Sequence, residues 1–369
     1  MSRPLRARIN LQSLRHNYQL ASKCAPNGKA VAVVKANAYG HGALICARAL
    51  SDIAPAYAVA SIEEAMVLRE GGIQQPIVLL EGFFSADELP LIAANNFWTA
   101  VHSEWQINAI GRSNLSSPIH IWLKFDSGMH RLGLDADQIV KAWQCLSASE
   151  KVADLHLMTH FATADSQDDY RFKYQQAQVD QLTQRLSDMG HEVPRSLANS
   201  PATLKQAISA EWYRPGLMLY GADPLEQSNM LSRQLQPVMT LESEIIALRD
   251  ISVGEPVGYG GRFVADKPTR IAVVACGYGD GYDRHAREGT PVLVEGQRAH
   301  IAGRVSMDMM TIDVTHLPTV TLGDKVTLWG ISSQGDILDI NEVASCCDTI
   351  NYTLMTGITA RVPRVLVGI

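Results

Sequence analysis

Residues Arg8 to Leu11 alternate polar and apolar side chains as a half-buried strand does. Leu14, Tyr18 and Leu20 then fall on one helical face that ends near Ala25-Pro26-Asn27-Gly28. A rhythm begins there. Ala30 to Val34, Ala56 to Ala60 and Pro76 to Leu80 are short apolar runs, each followed by a helical pattern. Ser61-Ile62-Glu63-Glu64 and Ser85-Ala86-Asp87-Glu88 have the spacing of capping boxes. Trp98 to Val101, Ile119 to Phe125, Asp154 to His160, Arg195 to Ala198 and Glu211 to Arg214 continue the strand series, with helices predicted at Asp135 to Ala148 and Tyr170 to Met189. Eight strands alternating with helices over about 200 residues predict a (β/α)8, TIM-like barrel, with a doubly wound sheet as the alternative.

After Tyr220-Gly221 the texture changes. Val238 to Leu248, Arg270 to Cys276, Val292 to Val294, Met310 to Val314 and Lys325 to Trp329 are strand-like runs between glycine-rich turns, without long helical patterns. The chain therefore reads as an α/β barrel over residues 11–230 followed by a mostly β C-terminal domain over 231–369, which also takes the N-terminal strand 1–10.

Composition narrows the function. The chain has 369 residues, 46% hydrophobic and 19% charged, enough for a large core with a deep pocket. With 32 basic against 38 acidic side chains and 7% aromatics it offers no basic stripe or stacking platform, which argues against nucleic acid. Apolar runs such as Ile271 to Cys276 are too short to span a membrane, and the amino terminus lacks a signal-peptide core. The six cysteines show no Cys-x-x-Cys pair, so reduced thiols in a cytoplasmic protein are the simplest reading. Eight Lys or Arg precede the first acidic residue, Asp52. Transit peptides share that bias, but strand and loop chemistry already starts near Lys29, so we read the excess as a positive field around an anionic ligand.

The richest stretch is Val33-Val34-Lys35-Ala36-Asn37-Ala38-Tyr39-Gly40-His41-Gly42, where a lysine ends an apolar strand and a glycine-rich turn leads into a helix. Barrels keep their active sites at such strand ends. A lysine held against apolar residues releases its proton more easily and becomes available as a base or Schiff-base former, whereas a solvated lysine does neither. His156 and His160 have the separation of a helical metal pair, but on a strand four residues span roughly 13 Å, too far for one zinc ion. Gly277-Tyr278-Gly279-Asp280-Gly281 lacks the following helix and third glycine of a dinucleotide loop.

The lysine decapeptide is accompanied, in order, by Lys124-Phe125-Asp126-Ser127-Gly128-Met129-His130-Arg131-Leu132-Gly133, Thr159 to Asp165, Asn199-Ser200, Arg214-Pro215-Gly216-Leu217, Val257 to Gly261, Gly277 to Gly281, Gly303 to Asp308, Tyr352 and Arg361-Val362-Pro363-Arg364. Together these resemble the motifs of alanine racemases, pyridoxal-phosphate enzymes built of a barrel and a β domain, over essentially the whole chain. The resemblance implies racemisation of L- and D-alanine by two bases acting on a pyridoxal-phosphate aldimine. Lys35 would anchor the cofactor and work one face, and Tyr259, from the β domain of the other subunit of a homodimer, would work the opposite face. A phenol, with an ordinary pKa near ~10, needs cationic or hydrogen-bonding neighbours for that task, and His160 and Arg214 are the implied ones.

By the same resemblance Arg214 faces the pyridine nitrogen and keeps it unprotonated, which favours return of the proton over transamination. Tyr39, Ser200, Gly216, Leu217 and Tyr352 surround the phosphate. Read on its own, Ser200 before Pro201 is a helix cap. Arg131 and the backbone at Met307 receive the substrate carboxylate. In some relatives the lysine matching Lys124 is carbamylated and then orients the arginine matching Arg131, and Asp308 is a further supporting residue. Asp165, Tyr278, Arg284 and Arg304 line the substrate entrance. No metal is expected. The product serves peptidoglycan synthesis or alanine catabolism.

Two positions depart from the family pattern: Thr353 stands where an acidic residue is common, and Phe263 where a tyrosine is frequent. A broader amino-acid racemase with serine as a minor substrate is the nearest alternative, since one methylene is worth only about 1–3 kcal/mol of discrimination. A pyridoxal-phosphate decarboxylase would set an acid, not Arg214, at the pyridine nitrogen, and a non-catalytic carrier would not need Tyr259 and Met307.

Overall fold

A computed structural model describes residues 3–368. Strand β1 (Arg6–Asn10) leads into a helix at Leu11–Cys24, and eight parallel strands then close into a barrel: β2 (Lys29–Val33), β3 (Ala56–Val59), β4 (Ile77–Leu79), β5 (Phe97–Val101), β6 (Ile119–Lys124), β7 (Val152–Met158), β8 (Arg195–Ser196) and β9 (Trp212–Tyr213). The order is sequential, as βαβ units require, and β9 pairs back onto β2 through Lys29↔Trp212. Because helices cover the outside and side chains fill the inside, Ala30 to Val33 and Ile77 to Leu79 are buried on both faces, which is why they read as unbroken apolar runs. Trp98, Trp122 and Trp212 pack with His156 inside the barrel, where His156 Nε2 accepts from Trp212 Nε1–H at 3.2 Å. His156 is thus part of the barrel core.

The remaining strands are β10 (Met239–Ile251), β11 (Pro256–Val257), β12 (Phe263–Val264), β13 (Thr269–Val274), β14 (Pro291–Val294), β15 (Gln297–Ile301), β16 (Met310–Asp313), β17 (Lys325–Ile331), β18 (Ile337–Leu338) and β19 (Arg364–Val367). Nine strands form one sheet in the order β18-β17-β14-β15-β16-β13-β10-β1-β19, and β17 also pairs with β10, curling the sheet back on itself. The N-terminal strand lies inside this sheet, antiparallel to β10 at Ala7↔Leu241 and parallel to β19 at Ala7↔Arg364. The short β11–β12 hairpin stands apart and carries Tyr259 at its tip. Among the described residues no helix is long and apolar enough to cross a membrane.

Two features differ from the sequence expectation and one agrees with it. β15 escapes the apolar pattern because its exposed residues are polar, and its hairpin to β14 turns through Glu295-Gly296, both at positive φ, without the usual Asn-Gly signal. The Ser61 capping box does not form: Ser61 makes no cap bond, and Glu64 instead accepts from the N–H groups of Ala36 at 2.6 Å and Ala60 at 2.8 Å. The Ser85 to Glu88 box does form, on a single 3-10 turn.

Candidate active site

Lys35 leaves the C-terminal end of β2, and the four residues after it, Ala36, Asn37, Ala38 and Tyr39, all have φ between 50° and 53°. A left-handed turn of non-glycine residues costs roughly 1–2 kcal/mol per residue, so its neighbours must hold it. They do so with hydrogen bonds. Glu64 takes the Ala36 N–H, Asn37 Oδ1 accepts from Ala43 N–H at 2.9 Å, and buried His41 sets Nδ1 2.9 Å from the carbonyls of both Ala38 and Tyr39. The turn places the Tyr39 ring on Tyr220 at 4.7 Å and 5.8 Å from Tyr352. A Cβ on Gly216 would stand 2.5 Å from the Tyr39 hydroxyl, so any side chain here displaces Tyr39.

Lys35, Tyr39, Gly216, Tyr220 and Tyr352 wall a cavity of about 1390 Å³ shared by the C-terminal mouth of the barrel and the adjoining β domain. Lys35, Lys124, Arg131, His160 and Arg214 all face it. Burial and the four neighbouring cations push His160 well below its ordinary value, so its imidazole is neutral. Burial, with Arg214 and Arg131 nearby, lowers Lys124 to about 8. Arg214 is 4% exposed and lowered by burial to about 9, still cationic at neutral pH. Its Nη1 donates to Ser196 Oγ at 2.7 Å, and its Nη2 donates to the carbonyls of Thr159 at 2.6 Å and Leu197 at 3.2 Å. Its Nε–H has no acceptor among the described residues.

The source of this positive field corrects the sequence reading. Of the eight early cations only Lys35 lines the cavity. Arg3 pairs with Asp280, Arg6 and Arg8 with Glu242, and Arg15 with Asp52, while Arg48 caps the Gly71 carbonyl and Lys29 lies over Trp212. Four of the eight, Arg3, Arg6, Arg8 and Arg15, are paired with acids later in the chain; Lys124, Arg131 and Arg214 join Lys35 in making the field.

Opposite Tyr39, Ser200 opens the short helix Ser200–Leu204, whose cap is Asn199, its side chain accepting from Ala202 N–H at 3.2 Å. Ser200 is thus not the cap. Its Oγ accepts from the N–H groups of Gly216 at 2.9 Å and Met218 at 3.3 Å, and the Leu217 N–H between them has no acceptor among the described residues. Tyr352, on the helix Asn351–Gly357, is pushed up to about 12 by burial and keeps its proton as a donor. Thr353 beside it is exposed and touches none of this machinery through a side-chain hydrogen bond.

The other expected residues form a second cluster. Tyr259, Tyr278, Arg284, Arg304, Met307 and Asp308 belong to the β domain and do not line the Lys35 cavity. Gly258 and Gly260 bring the Tyr259 turn against Arg304, and the Arg284 guanidinium lies 5.9 Å from the Tyr278 ring. Tyr259 is 70% exposed and Met307 53%. Phe263 packs beside Val257 beneath this turn. Asp165 lines the Lys35 cavity instead, away from the three residues expected to share the entrance with it. One chain therefore unites Lys35 with Arg131, His160 and Arg214, but not with Tyr259 or Met307. No cluster of three or more His, Cys, Asp and Glu able to hold a metal exists among the described residues. The roles of Glu64, His41 and Tyr220 in holding the turn and Tyr39 were not read from the sequence, because nothing local marks a side chain that serves another segment.

Profiles of the alanine racemase N-terminal and C-terminal domains match residues 9–224 and 238–366. The chain belongs to the alanine racemase family. It is 61% identical to the alanine racemase of Chromohalobacter salexigens over 99% of this chain and 98% of that one. It is 48% identical to the catabolic alanine racemase of Pseudomonas aeruginosa, over 99% of each chain. The crystal structure of the biosynthetic alanine racemase from the same organism superposes with a TM-score of 0.93 at 44% identity, covering 99% of both chains. The same family thus contains catabolic and biosynthetic relatives of similar closeness.

Proposed function

We propose that this protein is a pyridoxal-phosphate-dependent alanine racemase of the cytoplasm, working as a homodimer with shared active sites. The observation that carries the reading is buried Arg214, tied down by three acceptors with Nε–H left over, in one cavity with Lys35. An amine, a donor-only cation and the Tyr39, Ser200, Leu217 and Tyr352 cradle fit the three parts of the cofactor: aldehyde, ring nitrogen and phosphate. The group itself supplies an electron sink for the α-carbanion. The Leu217 N–H and the hydroxyls of Tyr39 and Tyr352 would hold its phosphate.

Lys35 Nζ exchanges the α-proton on one face of the substrate. The Tyr259 phenol of the partner subunit exchanges it on the other, as two-face proton transfer demands. Arg131 and the Met307 N–H bind the carboxylate, and Arg214 offers a ring nitrogen no proton acceptor. The support for sharing is structural: Tyr259 and Met307 do not line the Lys35 cavity of their own chain and stand exposed on the β domain. Lys124, its amine lowered to about 8 by burial and neighbouring cations, reacts with carbon dioxide: an N–C bond forms, one proton leaves, and the resulting anion pairs with Arg131. In ¹³C NMR, enzyme equilibrated with labelled bicarbonate gives a carbamate resonance that Lys124→Ala lacks; a resonance unchanged in that variant rejects the site. Similarity to catabolic and biosynthetic relatives alike supports the reaction and leaves its direction to the cell.

The decisive experiment is proton NMR of L-alanine with the holoenzyme in D₂O, combined with chiral analysis. Loss of the α-proton signal together with D-alanine is expected; ethylamine would mean a decarboxylase, and unchanged alanine a carrier or a different amino-acid substrate. Lys35→Ala abolishes both turnover and the visible absorbance of the bound cofactor. Tyr259→Phe slows proton removal from L-alanine more than from D-alanine, and equal small losses in both directions would sink the two-base assignment.

A further inference from the structure

Asp280 takes no part in the proton transfers, yet it is fully buried, on the 3-10 turn Tyr278–Asp280. Its carboxylate takes Arg3 through both Nη atoms, Nη1 to Oδ1 at 2.5 Å and Nη2 to Oδ2 at 2.7 Å, and Arg361 Nε stands 3.4 Å from Oδ1. Its Oδ2 also accepts from the Gly277 N–H at 3.0 Å, closing the turn. Both arginines reach onward to Asp308: Arg3 Nη2 to the backbone carbonyl at 2.8 Å, and Arg361 Nη2 to Oδ1 at 2.6 Å.

Met307 sits between these grips. The Asp280 turn donates Tyr278 N–H to the Ser306 carbonyl at 3.0 Å and Gly279 N–H to the Met307 carbonyl at 2.8 Å. Ser306 N–H closes the loop on the Met309 carbonyl at 2.9 Å. The carbonyls on each side of the 307 amide are thus occupied, while the Met307 N–H has no acceptor among the described residues. The fit is tight, since a Cβ on Gly279 would lie 2.5 Å from Arg361 Nη1 and 3.1 Å from the Met307 carbonyl. Two arginines face two aspartates, so the cluster is neutral as a whole.

We propose that Asp280, clamped by Arg3 and Arg361, is a positioning residue that aims the Met307 N–H at the substrate carboxylate. The N-terminal arm thereby acts on substrate affinity through a loop about 300 positions away in the chain, the fixed-donor principle applied to carboxylate binding. The inference rests on the reading of Arg131 and Met307 as the groups that hold the carboxylate.

Arg3→Gln, Arg3→Lys, Asp280→Asn and, as reference, Arg131→Gln are compared as holoenzymes. Steady-state kinetics with L-alanine are paired with binding of ethylamine, which is alanine without its carboxylate, followed by the cofactor's absorbance. Removing an interaction that ground and transition states share raises KM and leaves kcat alone. Arg3→Gln is expected to raise KM about tenfold with kcat within about twofold and ethylamine binding unchanged, a loss of about 1.4 kcal/mol. Arg3→Lys, which keeps charge but not the two-pronged grip, falls between. Asp280→Asn goes the same way; if it does not fold, partly exposed Arg3 still carries the test. KM unchanged in Arg3→Gln while Arg131→Gln raises it overturns the proposal alone, and so does equal weakening of ethylamine and alanine. KM unchanged in Arg131→Gln overturns the carboxylate reading itself, and the proposal with it.

Discussion

Single atoms decide the cofactor cradle. Gly216 has no left-handed φ to explain it; what requires glycine is the Tyr39 hydroxyl 2.5 Å from where a Cβ would stand. Tyr39 cannot swing aside, because its ring is packed against Tyr220 and buried. Gly216→Ala is therefore expected to fold and to weaken pyridoxal phosphate at least about tenfold, as loss of about 1.4 kcal/mol would. Titration of apoenzyme with the cofactor checks it, and wild-type affinity would show that Tyr39 is free to move. Arg214 follows the same logic: its Nη groups hold two carbonyls and a hydroxyl of the barrel, which fixes the direction of Nε–H.

At the scale of an element, the left-handed turn after β2 is the most strained feature of the site, and His41 is its brace. Burial lowers His41 to about 4, so the neutral ring with Nδ1–H toward Ala38 and Tyr39 is the form that the fold holds. Between the ordinary value of 6.5 and about 4 the unfolded chain binds the extra proton, so the stabilisation is complete above pH 6.5 and is lost as the pH falls to about 4. The size is on the order of 3 kcal/mol. Urea unfolding of His41→Phe, which keeps a ring against Tyr220, should show lower stability at pH 7 and a shallower decline toward pH 4. An acid slope identical to the wild type would remove His41 from this role.

For the whole molecule, the question is where the second base comes from. If Tyr259 serves its partner, a mixture of Lys35→Ala and Tyr259→Phe subunits regains one intact site in each heterodimer. Equal random mixing then recovers about a quarter of wild-type activity. Subunits are exchanged under mild denaturant and assayed for D-alanine. Recovery to no more than the sum of the two parents would place both bases in one chain. Net charge is also settled at this scale, because Arg3, Arg6, Arg8 and Arg15 find their acids at Asp280, Glu242 and Asp52, not in the cavity.

The barrel was legible in the sequence because parallel strands buried on both faces leave uninterrupted apolar runs, such as Ala30 to Val33, that need no distant information. Lys35, Arg131, His160, Ser200 and Arg214 were legible through motifs, since local spacing records the strand ends that carry them. The Ser61 box failed because Glu64 is used by Ala36, 28 residues earlier. β15 escaped because only Ala299 and Ile301 of its five residues are apolar, too few to mark a strand. The left-handed run at Ala36 to Tyr39 has no glycine to announce it, and only Glu64, Asn37 and His41 acting together make it tenable. Sequence by itself determined the strands, the lysine at their end and the family; tertiary structure decided which cations share the cavity, how Met307 is held, and that Tyr259 lies outside the Lys35 pocket of its own chain. The physical reason is range: periodicity and motifs record neighbours along the chain, whereas hydrogen bonds and charges are satisfied by neighbours in space.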